Sequence, residues 1–96
     1  MTVNEHLIAT LAEEGNEVGK DCMKMLRYPG DRGDKKAHIV DELNDFKAMV
    51  EMLVEKGVVP AGWEHEGKKF KKKMKVCRLM RSHGRVSDPE NIPEQY

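Results

Sequence analysis

Two stretches of this chain, residues 3–27 and 34–56, repeat their apolar side chains with the helical period, and Tyr28-Pro29-Gly30-Asp31 interrupts the pattern between them. At 100° per residue Leu7, Leu11, Val18, Cys22 and Met25 fall inside an arc of about 60°, a single stripe that asks for one neighbour. Proline disfavours helix at Tyr28 before it, and Gly30 and Asp31 are turn formers. So short a connection returns the chain antiparallel to itself. In the second stretch Ile39, Leu43, Phe46, Val50, Leu53 and Val54 share an arc of about 100°. Asp34 suits its N-cap, and Gly57 with Pro60 beyond it supplies the stop. Met49 and Met52 widen the apolar arc past what one helix covers, which calls for a third helix or a second subunit.

A third, shorter helix is expected over Glu66–Ser82, with Phe70, Met74 and Cys77 on one side, lysines around the rest, and Gly84 ending it. The last residues, SDPENIPEQY, carry two prolines and three acids and read as an extended or disordered tail. The fold class expected is therefore all-α: two long antiparallel helices and a shorter third in one domain over 1–85, with a tail over 86–96. At 96 residues and 39% hydrophobic content the core is modest, so completion by oligomerisation is expected. No apolar run reaches membrane-span length and MTVNEHLIATLAEE lacks the pattern of a signal peptide, so the expected location is cytoplasmic, with no membrane partner. Cys22 and Cys77 have neither zinc-site spacing nor a disulfide framework and are expected reduced and partly buried.

The formal net charge is zero, yet the charges are segregated. Residues 1–66 hold eight Lys/Arg against fourteen Asp/Glu, residues 67–85 hold nine Lys/Arg and no acid, and residues 86–96 hold three acids and no Lys or Arg. An acidic body with a basic segment suits either cation binding combined with an anionic ligand, or a basic helix laid on nucleic acid.

The acids that intrude on the apolar arcs narrow the choice. Glu14 falls inside the first stripe and Glu17 at its edge; on the second helix Glu42 falls between Met49 and Leu53, and Asp45 between Met49 and Met52. Each pair is spaced i, i+3 and occupies one face, so two such helices packed together converge four carboxylates. A single E-x-x-E is ordinary on a solvated helix; two pairs on consecutive helices, both intruding on the apolar arc, strengthen the case for a site considerably. Ionised carboxylates in a partly desolvated groove repel one another, so a cation must share the groove. Oxygen donors without His or Cys suit Mg²⁺, or Mn²⁺, rather than zinc.

Glu13, Glu14, Gly15, Asn16 and Glu17 followed by Glu42, Leu43, Asn44 and Asp45 resemble the E-E-x-x-E…E-x-x-D signature of the MazG-like all-α nucleoside triphosphate pyrophosphatases. KMLRYPG (residues 24–30) is similar to the K-x-L-R-[FY]-G segment of that family, DFKAMVEMLVEKG to the apolar half of its second helix, and KKKMKVCRLMRS to the lysine-bearing third helix of short, phage-type members. The likeness covers about residues 5–82, with Pro29 as a departure between Tyr28 and Gly30. It implies a MazG-like helical bundle working as a homodimer or homotetramer, and an enzyme that uses Mg²⁺ to cleave a (d)NTP between the α and β phosphates, leaving (d)NMP and pyrophosphate. It implies Glu14, Glu17, Glu42 and Asp45 as catalytic metal ligands; Glu13, by its position on the helical wheel, faces away from the stripe. Lys24, one turn before Arg27, is the best-placed cation for substrate phosphate; Lys72 and Lys75 of the third helix are further candidates. Asp21, on the carboxylate face, either holds Lys24 or adds to the metal shell. A viral member would work in the host cytoplasm.

The rival reading is a non-enzymatic helical module that binds nucleic acid or an acidic partner through the basic 67–85 segment. Lys/Arg density favours it, whereas the segment interleaves no aromatic beyond Phe70 and so offers no base-stacking platform. On that ground nucleic acid is not expected among the partners.

Overall fold

Thr2 opens the first helix, α1 (Val3–Arg27), with a capping box: the Thr2 backbone N–H donates to Glu5 Oε1 at 2.9 Å and the Glu5 N–H donates to Thr2 Oγ1 at 3.1 Å. The same hydrogen bond from Thr2 holds the Glu5 carboxyl below its ordinary range. The computed structural model describes residues 1–84 and 86–96, with the backbone alone described over 31–34. At the far end of α1 the Tyr28 N–H donates to the Lys24 carbonyl at 2.9 Å, and Pro29–Asp31 form a 3₁₀ turn. Helix resumes as α2 (Arg32–Glu55), two residues before the expected start. Capping by the Asp34 side chain lies outside the described residues. Gly57, at φ +74°, closes α2: its N–H reaches the Val54 carbonyl and the Val58 N–H reaches that of Leu53, the paired bonds of a Schellman stop.

The chain divides into two compact units, Met1–Ala61 and Gly62–Tyr96. In the first, α1 and α2 pack against each other as an antiparallel hairpin, with residues at similar distances from the 3₁₀ turn meeting. Leu7, Val50 and Leu53 are its buried apolar residues; Leu53, 1% exposed, is the deepest, and truncating it to alanine would cost about 2–5 kcal/mol. The helices close up at Gly15, where a Cβ would stand 3.6 Å from the Phe46 ring. The apolar arc of α1 is rotated from the expected one: Asp21 is buried and Cys22 is exposed. Residue 21 lies nearer the line joining Leu7 and Glu14 than residue 22 does, so the helix that seats Leu7 seats Asp21. The Cys22 expectation is corrected accordingly. Leu43, expected in the core, is half-exposed.

The second unit is built on α3 (Glu66–His83), begun by His65, whose Nδ1 accepts from the Lys68 N–H at 3.0 Å, and ended by Gly84 at φ +60°. Arg85, where the sequence reading ends the helical domain, lies outside the described residues. Residues beyond it fold back on α3 where an extended tail was expected. Pro89–Asn91 make a 3₁₀ turn, Ile92 is buried with Cys77 as the other buried apolar residue of the unit, and the Arg81 guanidinium donates to the carbonyls of Pro93 at 3.0 Å and Tyr96 at 2.9 Å. The physical cause is that Ile92 has an apolar surface to cover and Arg81 has donors to satisfy. Among the described residues the fold is all-α, with three α-helices and no strand, and no helix is long and apolar enough to cross a membrane.

Candidate metal centre

α1 and α2 bring Glu14, Glu42 and Asp45 together. One carboxylate oxygen of each lies within 4.8 Å of the others. The hairpin turn sets the register that makes this meeting possible, and the i, i+3 spacing places Glu42 and Asp45 on successive turns of α2. Glu14 and Glu42 are half-buried and Asp45 is exposed, so the trio sits at the rim of the interhelical groove, with oxygen atoms open to a ligand.

Asp21 lies deeper. It is 6% exposed, and its Oδ2 has no hydrogen-bond partner. Among the described residues no Lys or Arg forms an ion pair with Asp21, Glu14, Glu42 or Asp45. The strain of this arrangement is felt at Glu42, whose carboxyl is held above its ordinary value first by desolvation and then by the charges of Asp21, Asp45, Glu14 and Glu17. Of those charges Asp21 acts most strongly. Among the described residues the hairpin thus pairs none of Asp21, Glu14, Glu42 and Asp45 with a positive charge, the reverse of how buried acids are ordinarily satisfied.

Glu17 stands apart from the trio. It is exposed and pairs with Lys20 at 3.5 Å, although its charge still reaches Glu42. Three of the four expected carboxylates therefore converge, and the fourth occupies the flank because residue 17 is displaced about 60° around α1 from residue 14. Asp21, only about 20° from Glu14 on the same wheel, takes the inner position. Glu13 is exposed, facing away as expected. Lys24 and Arg27 line one shallow groove on α1 with Gly19, Lys20 and Met23. Lys72 and Lys75 belong to the second unit and line different grooves: Lys75 with Lys71, Met74 and Arg78, Lys72 with Lys73, Val76 and Cys77. Neighbours in sequence separated by three positions need not share a groove once the C-terminal segment lies between them.

The donor set fits a hard divalent cation. All donors are carboxylate oxygens, the ligand type such ions take, and the three lie within 4.8 Å of one another, near enough for side-chain adjustment to bring them onto one ion. The buried Asp21 Oδ2, without a hydrogen-bond partner among the described residues, is a further acceptor that a bound cation or its water shell would satisfy. Comparison with protein-family models finds no match for the chain, and comparisons with curated proteins and with solved structures find none either.

Proposed function

We propose that the α1–α2 hairpin is the catalytic unit of a divalent-metal-dependent nucleotide pyrophosphohydrolase with a MazG-like fold, cleaving a (d)NTP between the α and β phosphates. The observation that carries the reading is the convergence of Glu14, Glu42 and Asp45 beside the buried Asp21, whose Oδ2 has no hydrogen-bond partner among the described residues. Glu14, Glu42 and Asp45 would hold Mg²⁺ or Mn²⁺, with Asp21 behind them and Glu17 on the flank. Bound there, such an ion supplies neutralisation of phosphate charge and acidification of a water molecule. The chain's own residues do the rest. The carboxylates orient the cation toward the open rim, and Lys24, about 4.5 Å further along α1 than Asp21 by helical rise, and Arg27 after it offer fixed charge for phosphate oxygens leaving the rim. The proton given up by water has a carboxylate acceptor within the same group.

The apolar residues left exposed support self-association of the hairpin. Ile8 and Leu26 on α1 and Val40 and Leu43 on α2 are half-exposed or more. By helical position they lie on the flank opposite the acids of each helix, so a second copy can cover them and leave the carboxylates open. The test of the whole reading is a panel of ribo- and deoxynucleoside triphosphates incubated with the full chain and Mg²⁺ or Mn²⁺, scored for monophosphate and pyrophosphate. At least one nucleotide should yield both products in equal amounts. Release of orthophosphate alone, or no turnover of any nucleotide by protein that demonstrably binds the ion, would refute it.

A further inference from the structure

The second unit presents a feature that the proposed hydrolase chemistry does not use. Along one side of α3 run Lys71, Lys75 and Arg78, spaced i, i+4, i+7, and with Met74, Arg81 and Tyr96 they line a groove of about 540 Å³. The three cations are exposed and, among the described residues, form no ion pair. Arg81 is engaged differently, its guanidinium binding the Pro93 and Tyr96 carbonyls, and that clamp brings the Tyr96 ring to the groove wall. There the ring stands edge-on to Phe70, centroids 5.7 Å apart, with the Lys73 ammonium 5.3 Å from its centroid.

We infer that this groove binds single-stranded nucleic acid, with Lys71, Lys75 and Arg78 on successive phosphates and Tyr96 as the surface for an unstacked base. The row of cations spans about 10 Å of helix in steps of about 6 and 4.5 Å, so three long, flexible side chains can each take a phosphate of one strand. A regular row of cations matches a regular polyanion. A basic groove with an aromatic wall is the combination by which proteins hold single strands without reading sequence, and a duplex offers no free base face for the ring. An acidic peptide would engage the cations without a base to lay on the ring. An anionic membrane surface fits less well, because the exposed apolar residues of α3 are dispersed: Phe70 and Met74 lie on one side, Val76 and Leu79 on another. The aromatic that the basic segment lacks in sequence is supplied by the returning chain end.

The experiment is fluorescence anisotropy of the full chain with a labelled oligothymidylate of about 20 nucleotides, in EDTA, over 50–200 mM salt. Three phosphate contacts predict a slope of about −2 in log affinity against log salt, which is about a twentyfold loss over that range. The triple variant Lys71→Gln, Lys75→Gln, Arg78→Gln changes only exposed side chains and should abolish most of that slope. A strand of the same length with abasic sugars should bind at least about fivefold more weakly than oligothymidylate; Tyr96→Phe should keep that difference and Tyr96→Leu should erase it. Equal affinity for the abasic strand or for duplex overturns the single-strand assignment. So does an unchanged salt slope in the triple variant, or binding of polyglutamate or of vesicles with 30% phosphatidylserine as tightly as oligothymidylate.

Discussion

In EDTA at neutral pH the Glu42→Gln variant should melt above the parent chain, and on addition of millimolar Mg²⁺ or Mn²⁺ the parent chain alone should gain. The Glu42 carboxyl is raised above its ordinary value of 4.5 by desolvation and by the neighbouring charges of Asp21, Asp45, Glu14 and Glu17. A raised acid binds its proton more tightly in the folded state than in the unfolded state. Its favourable contribution is complete below the unfolded value and is lost as pH rises through the folded one, so at neutral pH the ionised group works against folding. Gln has the same shape without the charge. The advantage of the variant should therefore be full at neutral pH and fade as the pH falls toward 4.5. The parent chain escapes the same repulsion by binding the ion: at a hundredfold excess over Kd, ligand binding adds about 2.7 kcal/mol, which for a domain of this size corresponds to a rise in Tm of about 10–20 °C. Pyrophosphohydrolase activity should fall at least about a hundredfold in the same variant, as expected when a metal site loses a ligand. Calorimetric scans with and without the ion, at two pH values, decide the matter. A Glu42→Gln protein less stable than the parent in EDTA would show that the carboxylate makes a favourable contact and that no cation is awaited.

The second large effect is expected at Asp21. Its burial without a partner for Oδ2, among other acids, means that Asp21→Asn, which removes the charge at nearly constant volume, should raise the urea midpoint in EDTA. Nearly all buried carboxylates behave in the opposite way, because they are paired and lose a partner when changed. The same variant should bind Mn²⁺ about 10–100-fold more weakly, since the oxygens that support a metal ligand set contribute on that scale. Urea unfolding gives the first quantity, and Mn²⁺ electron paramagnetic resonance titration gives the second without depending on turnover. If Asp21→Asn lowers the urea midpoint while Mn²⁺ affinity is unchanged, Asp21 is an ordinary structural residue and the proposed metal centre loses its inner member.

The two effects separate the roles within one acidic group. Glu42 and Asp45 follow from a spacing of three on α2, and Glu14 from its position in the α1 stripe, so their meeting needs only that the two stripes face each other. Asp21 and Glu17 show where periodicity stops being enough. Both lie on the acidic side of the α1 wheel, Asp21 about 20° and Glu17 about 60° from Glu14, and which of them points inward depends on the rotation that α1 adopts against α2. That rotation is set by the seating of Leu7, Val50 and Leu53 and by the Phe46 ring lying against Gly15. The same few degrees decide that Cys22 faces out.

The amino-acid order alone determined the three helices, their stops at Tyr28-Pro29, Gly57 and Gly84, and the facing of Glu14, Glu42 and Asp45, because these depend on periodicity and on backbone preferences acting within a few residues. The Thr2–Glu5 capping box belongs to the same class, since both members lie within one turn. Only the tertiary structure decided the burial of Asp21, the displacement of Glu17 to the flank, the separation of Lys72 from Lys75, and the return of Tyr96 to α3. Each of these is a contact between residues on different elements or a rotation of one element against another. Such placements are chosen by packing across the whole unit, and nothing local in the chain encodes them.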